Sequence, residues 1–256
     1  MTMTTDFSPL KLVFRPSEYF SDVAAGRAGW GWPLALYAAD AAASALLITN
    51  ISPDFLARAS SDLPTAAGIT FASALAAVLP GGLAFNAFFC ALAVAFAAFI
   101  GRGRLMFRLP LPLAAVAGYT LFFILRLDEA AGGAAGWLAA AGALAFAAWA
   151  ALRGRAVFGA MFKLLLALSV FALASDLACA AAALADAPRA YRGAEFFFAF
   201  LSLGWLVRGT SVAAGIPAAR AFAAVLPALL GAAAFAFSLH TLGLLSAKVF
   251  EMLLLI

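Results

Sequence analysis

Hydrophobic residues make up 66% of the 256-residue chain and charged residues 11%, against about 45–50% and about 25% in a soluble domain. Such a chain has too little polar surface to cover a core, so its solvent has to be lipid. The net charge of +4 does not indicate nucleic acid, because the basic residues are spaced between apolar runs rather than clustered with aromatics on a polar face. The expected fold class is all-α: a polytopic transmembrane helical bundle of about seven spans.

Residues 1–32 read as an amphipathic N-terminal segment on the cytoplasmic side, ahead of a transmembrane helical domain at 33–256. Phe7, Leu10, Val13, Phe14, Tyr19 and Phe20 alternate with Lys11, Arg15, Glu18 and Asp22. A helix starting near Ser17 has two placements open to it. It can lie in the headgroup plane with Lys11 and Arg15 facing anionic lipid, or pack against the protein's own loops. Asp6, Glu18 and Asp22 occupy this segment and it has no short apolar core, so no cleavable signal peptide is expected.

The first span is predicted from about Pro33 to Ile51, long enough to cross. Asn50, Pro53 and Asp54 open a polar loop through Pro64. Residues 65–79 are apolar but short, and Pro80-Gly81-Gly82 reads as a break before a second span at 83–101. Two crossings here would set the later basic loops opposite the basic N-terminus, so 65–79 is read as an interfacial or kinked prelude. Further spans are expected at about 110–127, 137–152, 162–185, 196–214 and 219–240, of which 137–152 is the shortest. Residues 241–256 either continue the last helix or lie on the outer surface, with Lys248 and Glu251 at a polar edge.

One short stretch occurs twice. Arg102-Gly103-Arg104-Leu105-Met106-Phe107 reads R-G-R-x-x-F, and so does Arg153-Gly154-Arg155-Ala156-Val157-Phe158, 51 positions later. Duplication of a hairpin explains the pair; coincidence in an alanine-rich chain is the alternative. Both copies are compact, acid-free basic loops between apolar runs, the pattern of the cytoplasmic side of a membrane protein. With the N-terminus inside, eleven of the 16 basic residues fall in inner segments, which predicts N-inside, C-outside. Arg102, Arg104, Arg153 and Arg155 are also candidate contacts for anionic headgroups or partner proteins.

Three landmarks spread along the chain carry a resemblance. Pro16, Glu18, Tyr19 and Phe20 form a P-x-E-Y-F entry, followed by Gly29-Trp30-Gly31-Trp32-Pro33 before the first span. A glycine-basic turn precedes Phe and an apolar run, here twice. Gly215-Ile216-Pro217-Ala218-Ala219-Arg220-Ala221 forms a turn before the last span. Together these resemble the Yip1-domain family of polytopic membrane proteins in its bacterial form. Pro217 stands where the family has serine. The family's tyrosine-serine-x-x-proline pattern is absent, with Gly118-Tyr119-Thr120 its nearest echo. The family core has five spans rather than seven, a difference that a duplicated hairpin accounts for. The resemblance implies a helical bundle with a cytoplasmic N-terminus. Its eukaryotic relatives act in vesicle traffic and bind small GTPases, and some bacterial ones accompany transport ATPases. It transfers no catalytic residues.

Ionisable groups inside spans are costly and so are the first candidates for function. Asp176 lies 13 residues after Lys163, roughly 20 Å along a helix. Asp40 sits deeper than a headgroup in the first span, and Arg208 lies within snorkelling reach of the inner end of its own. An Asp40–Arg208 pair, or a polar contact centred on Asp176, would gate a proton or ligand path; alternatively these are helix-packing groups. Cys90 and Cys179 lie in apolar runs without metal spacing, and His240 reads as an interfacial side chain. No zinc-protease, nucleophile-elbow or phosphate-loop motif occurs. The expectation is therefore a non-enzymatic scaffold without cofactor or metal, in a bacterial cytoplasmic membrane, whose partners are the bilayer and other membrane subunits. An accessory or permease subunit of an ATPase-driven transport complex is the alternative.

Overall fold

A segment surrounded by lipid has to satisfy its own backbone N–H and C=O groups, and a helix does this without help from a neighbour. The computed structural model describes residues 9–59, 69–126, 133–247 and 249–250, and every regular element among them is a helix. Two short helices come first, α1 (Pro9–Phe14) and α2 (Pro16–Ala24). They are followed by α3 (Gly31–Asn50), α4 (Pro53–Ala59), α5 (Phe71–Ile100), α6 (Leu105–Arg108), α7 (Pro110–Ile124), α8 (Gly133–Arg153), α9 (Arg155–Leu184), α10 (Pro188–Ala214) and α11 (Ala218–Thr241). Helical backbone continues from α6 into α7 through Leu109, so the two act as one span. Seven helices are long and apolar enough to cross a bilayer: α3, α5, α6–α7, α8, α9, α10 and α11. This is the makeup of an integral membrane protein.

Five of the seven form a ring in the order α3, α5, α11, α10, α9 and back to α3. The ring is filled. α5 and α9 touch across it, and Phe88, Phe89, Leu92, Leu164, Leu168 and Phe235 belong to one buried cluster. The rings of Phe88 and Phe235 stack with centroids 4.1 Å apart. α7 and α8 lie outside, α7 mainly against α11 and α8 mainly against α5.

Small residues allow this close approach, as expected where lipid supplies no hydrophobic drive between helices. A Cβ on Gly209 of α10 would fall 1.8 Å from Leu164 Cδ2 of α9, and one on Gly154 would fall 2.4 Å from Val94 Cγ1 of α5.

Several expectations need correction. Pro80-Gly81-Gly82 does not break the chain; it lies inside the 30-residue α5, so residues 71–79 extend the second span rather than precede it, while 65–68 fall outside the described residues. Proline removes one intrahelical donor and crowds the carbonyl four residues earlier. Here Tyr37 of α3 meets α5 just ahead of the proline, at carbonyls other than the Ala76 one that Pro80 leaves without its donor: its hydroxyl donates to the Leu79 carbonyl at 2.7 Å, with the Val78 carbonyl at 3.2 Å. Gly82 makes room for it, since a Cβ there would lie 2.6 Å from the tyrosine oxygen. A neighbouring helix thus adds hydrogen bonds beside the proline.

The predicted polar loop after Asn50 contains α4, whose Phe55, Leu56 and Ala59 are buried, with Phe55 edge-on to Tyr191 of α10 at 5.6 Å. α8 is 21 residues long and therefore sufficient to span. α10 begins at Pro188, eight residues before the predicted start. The N-terminal segment packs against the spanning helices α9 and α10 rather than against loops. Leu12, Tyr19, Phe20 and Val23 are buried, and the Phe20 ring meets Trp205 edge-on at 5.9 Å. Beyond α11 the chain turns at Gly243, whose φ is +73°, instead of continuing the helix. Val249 packs with Ala45 of α3 and Ala74 of α5; Lys248 and Glu251 lie outside the described residues.

Candidate functional site

Two places gather the polar groups of the bundle. The first is the seam between α3 and α9. Lys163 of α9 is buried, 8% exposed. Its Nζ donates to the Ala28 carbonyl at 2.6 Å and lies 4.8 Å from the Trp30 ring centroid. Sequence counting made Lys163 an orientation signal; the structure gives it a holding role, fastening the segment before α3 to α9. Further along the seam Ser44 donates to Asp176 Oδ2 at 2.7 Å. Asp40, one turn before Ser44, is 5% exposed and faces Ser169 and Asp176. Its Oδ1 has no hydrogen-bond partner among the described residues.

The structure therefore brings Asp40 and Asp176 together and leaves Arg208 out. Arg208 is exposed on α10, whereas Asp40 is buried at the α3–α9 seam, so the proposed Asp40–Arg208 pair does not form. Cys90 and Cys179 are buried free thiols. His240 meets the Leu245 carbonyl through Nδ1 at 3.0 Å, and its ring stacks on Phe250 with centroids 4.9 Å apart. Its role is to fasten the turn after α11. Among the described residues no cluster of three metal-ligating side chains forms.

The second place is the end of the bundle where both R-G-R motifs lie. They occupy equivalent positions, each between two spanning helices, but their backbones differ: Gly103 has φ +74° and Gly154 has φ −104°. Two arginines outside the motif pairs stabilise the first turn. Arg108 donates to the Phe99 carbonyl at 2.7 Å and lies over that ring at 5.0 Å. Arg220, from the start of α11, donates to the carbonyls of Gly101 and Gly103, the latter at 2.8 Å. These bonds satisfy carbonyls that the end of α5 leaves without an intrahelical donor.

The four motif arginines then separate into two groups. Arg102 and Arg153 line a cleft of about 710 Å³ between the ends of α5, α7 and α8; Arg104 and Arg155 are not part of its lining. The walls are apolar, with Phe96 and Phe99 from α5, Leu111 and Pro112 from α7, and Phe146 and Trp149 from α8. The Arg153 guanidinium lies 5.4 Å from the Trp149 ring centroid. Neither Arg102 nor Arg153 has a hydrogen bond or ion pair among the described residues.

Sequence reasoning missed Ser44, Tyr37, Arg108, Trp149 and the capping role of Arg220. A polar side chain in an otherwise apolar span was the available signal for the first two; nothing in spacing alone distinguishes the others. Compared with known proteins, the chain matches no family model, no curated protein and no solved structure.

Proposed function

We propose that this chain is a non-enzymatic membrane scaffold of the Yip1-like type, which sits in a bacterial cytoplasmic membrane with its R-G-R end toward the cytoplasm and binds other membrane subunits laterally. The observation that carries this reading is the contrast between a ring filled with side chains and an outer surface rich in large apolar ones. Phe196, Phe197 and Phe200 of α10 are 65%, 62% and 71% exposed, and Leu138 of α8 is 72% exposed. A filled ring suits holding partners better than conducting a solute. The addition of one consecutive helix pair, α7 and α8, outside a ring of five supports the resemblance to a family whose core has five spans. The acid-free R-G-R turns support the orientation.

The test is purification in mild detergent from the native host, with photo-crosslinkers at Phe197 and Leu138. A membrane subunit in fixed stoichiometry, crosslinked at one of these positions, is expected. A monodisperse, partner-free protein carrying a bound substrate contradicts the proposal. One observation favours a second reading, a subunit of an ATPase-driven transport complex: Asp40 is buried near Asp176 with an unpartnered oxygen, and intramembrane carboxylates often mark ion pathways. A transport ATPase among the co-purifying chains would decide for that reading.

A further inference from the structure

We infer that the cleft between α5, α7 and α8 is a binding site for one anionic phospholipid, drawn from the leaflet at the R-G-R end. Its volume of about 710 Å³ falls in the range of about 300–1,000 Å³ that small-molecule sites occupy. The cleft lies outside the five-helix ring, lined by residues of α5, α7 and α8. Leu111, Phe146 and Trp149 on its walls are 60%, 42% and 52% exposed, and in a bilayer that exposure faces acyl chains. The apolar walls fit a lipid tail, and the basic residues stand at one end only, where a headgroup lies.

The charge is what makes the site select. The basic side chains near this end have different duties: Arg108 and Arg220 are committed to backbone carbonyls, while Arg102 and Arg153 reach the cleft without an ion pair among the described residues. The sequence holds no Asp or Glu from 63 to 127 or from 130 to 175, so none of the three helices that build the cleft brings a counter-ion of its own. Guanidinium groups pair with phosphate through parallel hydrogen bonds, and basic pockets between transmembrane helices are suited to anionic headgroups. Trp149 under Arg153 adds an aromatic ring of the kind favoured at headgroup depth. The inference needs the chain to lie in a membrane but does not depend on the scaffold role, so the two fail separately.

The experiment places the full chain in phosphatidylcholine nanodiscs and adds phosphatidylglycerol or phosphatidylcholine with brominated acyl chains. The signal is the tryptophan quenching that Trp149→Phe removes. A preference for phosphatidylglycerol of roughly fivefold to thirtyfold is expected for two arginines at an anionic surface. The Arg102→Ala, Arg153→Ala double variant should bring that preference close to one, and the corresponding lysine variant should restore part of it. Both arginines are exposed, so folding is not at risk, and quenching of Trp149 by phosphatidylcholine in each variant is the internal control. Arg104→Ala with Arg155→Ala removes the same charge from the same turns and should keep most of the preference. Equal quenching by the two lipids overturns the inference, as does an equal loss in the Arg104, Arg155 variant. Absence of Trp149 quenching by either lipid overturns it. Displacement of phosphatidylglycerol by inorganic phosphate overturns it in favour of a free-anion site.

Discussion

Arg220 donates Nη2 to the carbonyl of Gly103 at 2.8 Å, which ties the start of α11 to the end of α5 across 117 positions of sequence. The same guanidinium reaches Gly101 and Ile100 through Nη1. Hydrogen bonds to a charged group are worth about 1.5–3 kcal/mol. Arg220→Ala is expected to destabilise the protein by about that amount, read as thermal unfolding in detergent. Arg220→Lys should recover only part, because a point charge cannot reach carbonyls in several directions as a planar fork does. An unchanged melting temperature for Arg220→Ala would show that the clamp is ornamental.

Gly209 makes a second prediction about packing. Its ideal Cβ position lies 1.8 Å from Leu164 Cδ2 and 3.0 Å from Cγ, and Leu164 is 2% exposed, so it has little space to retreat into. Gly209→Ala should cost about 1–3 kcal/mol through overpacking. Combined with Leu164→Ala, the loss should be smaller than the sum of the single losses, since the two changes relieve one another. Additive losses in a double-mutant cycle would mean that α9 and α10 do not meet at this point.

How much of this was legible beforehand follows from what lipid does to sequence. Span number and the location of both R-G-R turns were readable, because long apolar runs and basic loops are direct consequences of the bilayer. Lateral pairing was not. The spans are apolar all round, so no periodic face says which helix packs against which. Tyr37 illustrates this: its bond at Leu79 joins α3 to α5 beside Pro80, and a reader of α5 alone sees only a break. Lys163 shows the same limit for charges, since counting places it at an interface while its contact with Ala28 gives it a specific partner.

The Asp40 and Asp176 carboxyls allow a test of packing against chemistry. Asp176→Asn keeps a carbonyl oxygen able to accept from Ser44, so stability should change by less than about 1 kcal/mol, the usual net worth of one hydrogen bond. Asp40→Asn should be similarly mild. Membrane abundance and thermal unfolding are the readouts. If either variant loses partner binding or transport at normal abundance, the seam is a working ionisable site and the second functional reading gains.

At the opposite end of the bundle, Arg58 donates Nη2 to Asp186 Oδ1 at 2.6 Å, and this guanidinium holds the Asp186 carboxyl below the usual carboxylate range. A folded-state pKa below the unfolded one makes the contribution full above the unfolded value, about 3.9, and lost as pH falls through the depressed folded value. Both side chains are exposed, 54% and 66%, so the effect should weaken with salt. NMR titration of the Asp186 carboxyl should give a lower midpoint than free aspartate, returned upward by Arg58→Ala. Identical titrations with and without Arg58 would contradict the pairing.

The proposed cytoplasmic placement of the R-G-R end is tested directly by single cysteines. With Cys90 and Cys179 buried, Arg104→Cys and Arg155→Cys provide new reactive thiols at the two turns. A membrane-impermeant maleimide applied to intact cells should leave both unlabelled and should label both once the membrane is opened. Labelling of either turn in intact cells would place the motifs outside and contradict the account.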